Sequence, residues 1–303
     1  MTAVRKNSAD YWRNFMTDVT VVGASGFIGR YLYRFLCTRS SLRVKGTCCH
    51  SRTSGEFLPV DITVYGDMER LVSFSNGVLV WLAGCKDIKR CEKDKVEVEQ
   101  LNIQPVRDLV EILKRRPDPG KVLFISTDYV FDGQRGGYTV DDKVAPATVY
   151  GQTNAEAERL LLQSGLDCKI VRTAAVMGRG GVFFDWLVNA LRTEQTLSLF
   201  ENTIFSPTPL MLLSEALADI IEEYDSIPDR ILHLVGDVPM SRYSFGKMIA
   251  PLLNSKTELL AIRADFVNGV FQKNLSLCPS PYMERYNGIA LVDRMRHELE
   301  RRD

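Results

Sequence analysis

Val19-Thr20-Val21-Val22-Gly23-Ala24-Ser25-Gly26-Phe27-Ile28-Gly29 is a β-branched apolar run that breaks into G-x-x-G-x-x-G, after which Ile28, Tyr31, Leu32, Phe35 and Leu36 recur at helical spacing. Strand, glycine turn and helix come in the order that a dinucleotide-binding βα unit requires. The glycines permit a tight turn and close backbone approach to a pyrophosphate, and the free N–H groups of the first helical turn favour its charge. A lone glycine motif is more often an ordinary turn; the flanking strand and helix single this one out. Gly23, Ser25, Gly26, Phe27, Ile28 and Gly29 are therefore candidate cofactor-binding residues.

The next strand-like run, Leu42 to Cys49, ends in His50-Ser51-Arg52. A carboxylate about twenty residues past the glycines bonds the ribose 2′-hydroxyl of NAD, whereas an arginine there accommodates the 2′-phosphate of NADP. His50, Ser51 and Arg52 thus favour NADP; the alternative is that Arg52, like Arg43 and Lys45, is a solvated surface charge. Apolar runs at 78–82, 121–125 and 169–171 alternate with helical patterns at 95–115 and 151–163. Such alternation predicts right-handed βαβ units in a doubly wound parallel α/β sheet of Rossmann type, with ligands at the carboxyl ends of the strands. Ala83-Gly84 and Ser126-Thr127 follow two of those strands. The pattern changes near Ala174, so a dinucleotide-binding domain is expected over 18–175, with a strand returning near 231–235. A smaller C-terminal α/β lobe would then cover most of 176–303.

Ser126-Thr127-Asp128-Tyr129-Val130-Phe131-Asp132-Gly133 and Tyr150-Gly151-Gln152-Thr153-Asn154 carry the second half of the reading. A tyrosine one helical turn before a lysine has its phenol pKa lowered from about 10 toward neutrality. Here that lysine slot holds Asn154, which can hydrogen-bond a ribose but carries no charge. Lys121, Lys143 and Arg159 are the nearby cations available to compensate.

With the glycine turn, the octapeptide, Tyr150-Gly151 running to Ala157-Glu158, Arg172-Thr173, Ser206-Pro207-Thr208 and Leu232-His233-Leu234 to Phe245, the chain resembles the dTDP-4-dehydrorhamnose reductase family of extended short-chain dehydrogenases/reductases. The likeness spans about residues 18 to 250. It implies that Thr127 polarises a substrate carbonyl and Tyr150 donates the proton, with Tyr150 and Asn154 beside the cofactor. It further implies that Asp61-Ile62 lie against the adenine, that Leu82-Ala83-Gly84 line the nicotinamide end, and that Thr208 lies near a nucleotide sugar. The C-terminal lobe would bind the substrate. Phe183, Phe184, Trp186 and Phe205 are pocket liners or ordinary core. Two functions fit. One is NADPH-dependent reduction of a 4-keto nucleotide sugar or related ketone. The other is a catalytically silent, dinucleotide-binding regulatory or scaffolding subunit, for which the β subunit of methionine adenosyltransferase is a precedent.

Composition narrows the alternatives. Lys+Arg and Asp+Glu balance at 38 each in 303 residues, so bulk charge points to no nucleic acid partner. Seven cysteines without regular spacing fit a reducing cytoplasm, and His50, His233 and His297 are too scattered to join them in a metal site. No apolar stretch is long enough to span a membrane. Residues 1–17 form an extension with Tyr11, Trp12, Phe15 and Met16 at roughly helical spacing, read as a helix packed on the body or as an arm for a partner. A homodimer or a regulated protein partner fits the same reading.

Overall fold

The opening apolar run forms an inner strand of a seven-stranded, all-parallel sheet. The structure, a computed structural model, describes residues 16–49, 55–266 and 272–301. In chain order come β1 (Thr17–Val22), α1 (Phe27–Leu36), β2 (Leu42–Cys48), β3 (Leu58–Pro59), α2 (Tyr65–Phe74) and β4 (Val78–Trp81), then α3 (Ile88–Lys93), α4 (Lys95–Asn102), α5 (Gln104–Lys114), β5 (Lys121–Thr127), α6 (Val149–Gln163) and β6 (Asp167–Thr173). The second half supplies β7 (Val176–Met177), α7 (Val182–Thr193), β8 (Thr196–Phe200), β9 (Ile204–Phe205), β10 (Thr208–Pro209) and α8 (Leu210–Glu222). It ends with β11 (Ile231–His233), β12 (Met240–Ser241), α9 (Arg242–Leu252), β13 (Glu258–Ile262) and α10 (Leu291–Glu300). Strands line up as β11-β6-β5-β4-β1-β2-β3. The chain leaves β1 toward β2 and later returns on the other side with β4, so a switch point, where α/β sheets open a crevice, lies between the carboxyl ends of β1 and β4.

Both faces of the sheet are covered, which is why its strands read as continuous apolar runs: β4 is buried at all four positions. One face packs Trp81, Phe124 and Ile170 against Leu109 of α5 and Leu161 of α6. The other packs Val19, Val21 and Leu32 against Leu213, Leu217, Ile220 and Ile221 of α8. Nine of the residues of α8 are buried. The stretch 176–303, expected mostly as a substrate lobe, is therefore interleaved with the large sheet: α8 and β11 return to it, while α7, α9 and the parallel β8–β13 pair enclose a separate core around Phe184, Leu187, Leu199 and Phe245.

Local chemistry moved several boundaries. The helical pattern over 95–115 is two helices, α4 and α5, because Pro105 sits at the start of the second and supplies no N–H to continue the first. Strand β5 runs through Ser126 and Thr127, whose polarity hides them from an apolar pattern. The expected N-terminal helix lies outside the described residues, apart from Met16 and Thr17.

Candidate functional site

The glycines of the first turn have three different reasons to be glycine. Gly23 has φ 86°, a left-handed conformation costly to other residues. Its N–H donates to Thr47 Oγ1 at 3.2 Å, and its carbonyl accepts from Gly26 N at 3.0 Å. A Cβ on Gly29 would stand 2.2 Å from the Gly23 carbonyl oxygen, so helix and turn touch backbone to backbone there. A Cβ on Gly26, by contrast, meets only the Gly23 oxygen, at 3.3 Å, and Gly26 borders a large cavity. Helix α1 starts at that border with no side-chain cap and no acidic residue in its first turn, leaving its N–H groups for an external anion.

That cavity, about 660 Å³, joins the carboxyl ends of the strands to the C-terminal lobe. Gly23, Gly26, Phe27, Ile28, Gly29, Leu82, Ala83, Gly84, Thr127, Tyr150 and Asn154 all line it. The loop after β4 is fixed by Asn102, whose Oδ1 accepts from Cys85 N at 2.7 Å and whose Nδ2 donates to Cys85 O at 3.0 Å and Thr153 Oγ1 at 3.1 Å. Below Ser126, the Glu158 carboxylate takes the Ser126 hydroxyl and pairs with Arg172 at 2.7 Å, an ion pair closed off from water.

Thr127 ends β5 and is buried; its hydroxyl donates to Asp128 Oδ1 at 2.9 Å. Tyr150 opens α6, capped by the Thr148 side chain, and meets Tyr129 edge to face at 5.6 Å. Burial pushes the Tyr150 phenol well above the ordinary tyrosine value, and the Thr127 hydroxyl pulls part of the way back. Burial also raises Asp128 to about 7, opposed by the Thr127 hydroxyl and by backbone N–H groups. The Asn154 amide turns back on its own helix, donating to the Tyr150 carbonyl at 2.9 Å. The arrangement offers a hydroxyl pair for a carbonyl oxygen with no ammonium beside the phenol.

Other expected residues lie elsewhere. Asp61 and Ile62 follow β3 at the sheet edge, outside the cavity lining; Asp61 accepts from the Thr63 hydroxyl and Ile62 packs on the core. Ser25 does not line the cavity either, and its carbonyl accepts from Arg30. Thr208 is fully buried with its hydroxyl on the Ser206 carbonyl, because β10 pairs with β7 and turns the residue inward. Among the offered lobe aromatics only Phe205 lines the cavity; Phe184 is core and Trp186 is about half exposed. Lys121 pairs with Asp225 and Arg159 with Glu156, and neither they nor Lys143 reach the lining. The lining cations are instead Lys86, over the Phe27 ring, and Arg242, at the start of α9. Asn102, Asp128, Lys86 and Arg242 were missed as site residues. Asp128 lay within the octapeptide, whereas nothing in the local pattern marks the others. His50, Ser51 and Arg52 lie outside the described residues. Among the described residues no cluster of three or more His, Cys, Asp or Glu side chains is arranged to hold a metal, and no helix is long and apolar enough to cross a membrane.

Residues 16–270 match the RmlD substrate binding domain. The chain belongs to this family. The dTDP-4-dehydrorhamnose reductase of Aggregatibacter actinomycetemcomitans is 28% identical over 236 residues, which cover 76% of this chain and 77% of that protein. Methionine adenosyltransferase 2 subunit beta of Rattus norvegicus is 23% identical over 252 residues, 78% of this chain and 72% of that one. A Bacillus anthracis dTDP-4-dehydrorhamnose reductase, solved in complex with NADP, superposes with a TM-score of 0.79 over 94% of this chain and 99% of its own, at 21% identity. At that identity the RmlD-like likeness is one of fold, including the parallel sheet and the smaller C-terminal sheets.

Proposed function

We propose that this RmlD-family chain is an NADPH-dependent reductase of a 4-keto nucleotide sugar or a related ketone. One observation carries the reading: a single cavity is lined by both the glycine turn and the Thr127–Tyr150 hydroxyl pair. The turn fits a dinucleotide, since Gly26 keeps a Cβ out of the space before α1 and the uncapped helix start leaves N–H donors for a pyrophosphate. Gly23 to Gly29 would hold the pyrophosphate, Leu82 to Gly84 the nicotinamide end, Asp61 and Ile62 the adenine side, and His50, Ser51 and Arg52 the 2′-phosphate. When bound, NADPH supplies a hydride to the carbonyl carbon. Thr127, its hydroxyl turned from Asp128 Oδ1, donates a hydrogen bond to the carbonyl oxygen, and Tyr150 gives that oxygen its proton as charge develops there. A phenol whose pKa is raised by burial is fully protonated at neutral pH and so ready to donate, though reluctant.

The fate of Asn154 favours a second reading. The resemblance implies a lysine one turn after the tyrosine, and here an amide sits in that slot, tied to the helix backbone. A chain that binds NADP(H) without turning it over would then act as a regulatory subunit, as the similarity to the methionine adenosyltransferase subunit suggests. Mixing purified protein with NADPH and a panel of 4-keto nucleotide sugars separates the two. Oxidation of NADPH supports the reductase, binding without oxidation supports the subunit, and no NADPH binding at all overturns both. NADPH should bind at least tenfold more tightly than NADH, a gap of ~1.4 kcal/mol or more, and Arg52→Ala should remove most of that gap.

A further inference from the structure

Next to the Leu82-Ala83-Gly84 loop two thiols meet that no step of the proposed reaction uses. Cys85 is half-buried and lines the cavity. Cys91, on α3, is fully buried, and its thiol points at the Cys85 sulfur at a distance of 3.9 Å. Cys168 and Cys278 turn their sulfurs to backbone carbonyls instead. Burial, and then the neighbouring Cys85, push the Cys91 thiol up to about 12, so Cys91 keeps its proton at neutral pH. Cys85, the accessible member of the pair, is the one that meets an oxidant entering the cavity. The backbone at Cys85 is held on both sides, since Asn102 accepts from its N–H and donates to its carbonyl. A Cβ on Gly84 would stand 2.8 Å from the same amide oxygen, so the anchor is packed tightly as well as bonded. The residues leading from this anchor to Cys91 include Lys86, Asp87 and Ile88, which all line the cavity.

We infer that Cys85 and Cys91 are an oxidisable dithiol, converted by hydroperoxides to a disulfide that reshapes the cavity wall and weakens binding of the dinucleotide. With hydrogen peroxide the Cys85 sulfur attacks one peroxide oxygen and the O–O bond breaks. That oxygen stays on sulfur as a sulfenic acid, and the other leaves as hydroxide, which takes the thiol proton and becomes water. The Cys91 sulfur then attacks Cys85. The S–S bond forms as the S–O bond breaks, and the departing hydroxide carries off the Cys91 proton as a second water. The two thiols lose two electrons in all, and the peroxide gains them. A disulfide holds its sulfurs ~2.05 Å apart, so oxidation draws the pair together from 3.9 Å. Because Asn102 holds the Cys85 backbone, the movement falls on the cavity-lining residues 86–88. The consequence for binding rests on the dinucleotide reading of the cavity; the thiol chemistry does not.

The reduced full chain is treated with hydrogen peroxide, digested with trypsin without reductant and mapped by mass spectrometry; cleavage after Lys86, Lys89 and Arg90 puts the two cysteines in different peptides, so a bridge between them is read directly. NADPH affinity is measured before oxidation, after it and after re-reduction with dithiothreitol. Expected are a Cys85–Cys91 link and a loss of NADPH affinity of about tenfold that dithiothreitol reverses. In Cys91→Ala, which lies outside the cavity lining, the sulfenic acid on Cys85 has no partner and should be trapped by dimedone far more than in the wild type. Cys85→Ser should form no bridge and show no peroxide effect on its own NADPH affinity, which keeps the test open if C91A does not fold. No bridge in the wild type, equal dimedone labelling of wild type and C91A, an unchanged NADPH affinity once the bridge is complete, or an undiminished peroxide effect in C85S would each overturn the inference. A reduced chain that binds no NADPH would overturn the cofactor reading instead, and the bridge and dimedone results would still decide the dithiol.

Discussion

Asn154 is the residue on which the two proposed functions part. Its amide bonds the carbonyl four residues back, so the cavity face of α6 presents a half-buried neutral group where an ammonium would lower the pKa of Tyr150. Each unit of that pKa is worth 1.36 kcal/mol of bias against giving up the proton, and burial moves Tyr150 in the unfavourable direction. Asn154→Lys, with its longer stem open to the cavity, should therefore raise turnover of any accepted ketone and shift the alkaline limb of its pH–rate profile to lower pH. Tyr150→Phe should lower turnover by about 10²–10⁴ while leaving thermal stability nearly unchanged. An N154K variant that folds and binds NADPH, yet leaves every ketone untouched, would move the case to the regulatory reading.

At the scale of elements, the βα turn shows how differently three glycines in one motif behave. Gly29→Ala drives a methyl group into the Gly23 carbonyl and should cost the fold several kcal/mol, lowering the melting temperature by many degrees. Gly26→Ala should leave melting within a degree or two but weaken NADPH at least tenfold, because its methyl group enters the ligand's space. Loss of stability in G26A equal to that in G29A would remove the cavity-facing assignment. This turn was fully legible in the sequence, since each of its demands falls on consecutive residues. The alternation of strands and helices was equally legible, and α6 covers the helical pattern at 151–163. Arg242 was not. It starts α9 directly after β12, whose partner β9 lies almost forty positions away, and neither segment has a periodicity that reports the pairing. Thr208 misled for the related reason that a motif fixes neighbours in the chain but not the face on which a two-residue strand is buried.

For the whole molecule, two buried groups bend stability against pH in opposite senses. Asp128 has a folded pKa of about 7, raised from the ordinary carboxylate value by burial. Between roughly pH 4 and 7 the folded state then holds a proton that the unfolded state has lost, so stability falls as pH rises, by on the order of 4 kcal/mol in full. His233, lowered to about 4 by burial and by the nearby Arg172 guanidinium, does the reverse: the stability it confers is complete above about pH 6.5 and is lost as pH falls toward 4. The wild-type curve should be nearly flat across this window because the two slopes oppose. Asp128→Asn should uncover the histidine slope, with melting temperature rising steadily from pH 4 to 6.5. A D128N curve as flat as the wild type would mean that His233 carries no such slope, and a wild-type curve that already rises from pH 4 to 6.5 would mean that Asp128 is ionised throughout.

Helix α8 has a consequence for how the protein comes into being. It covers the face of the sheet formed by β1 and α1, yet it lies almost two hundred residues downstream of them. During synthesis, at ~5–20 residues per second, the strands through β6 are made several seconds before residue 222. Over that interval Val19, Val21, Leu32 and Leu36 lack the cover that α8 gives them. The N-terminal part is thus expected to complete its packing on that face only when the later helix arrives, with apolar surface exposed until then.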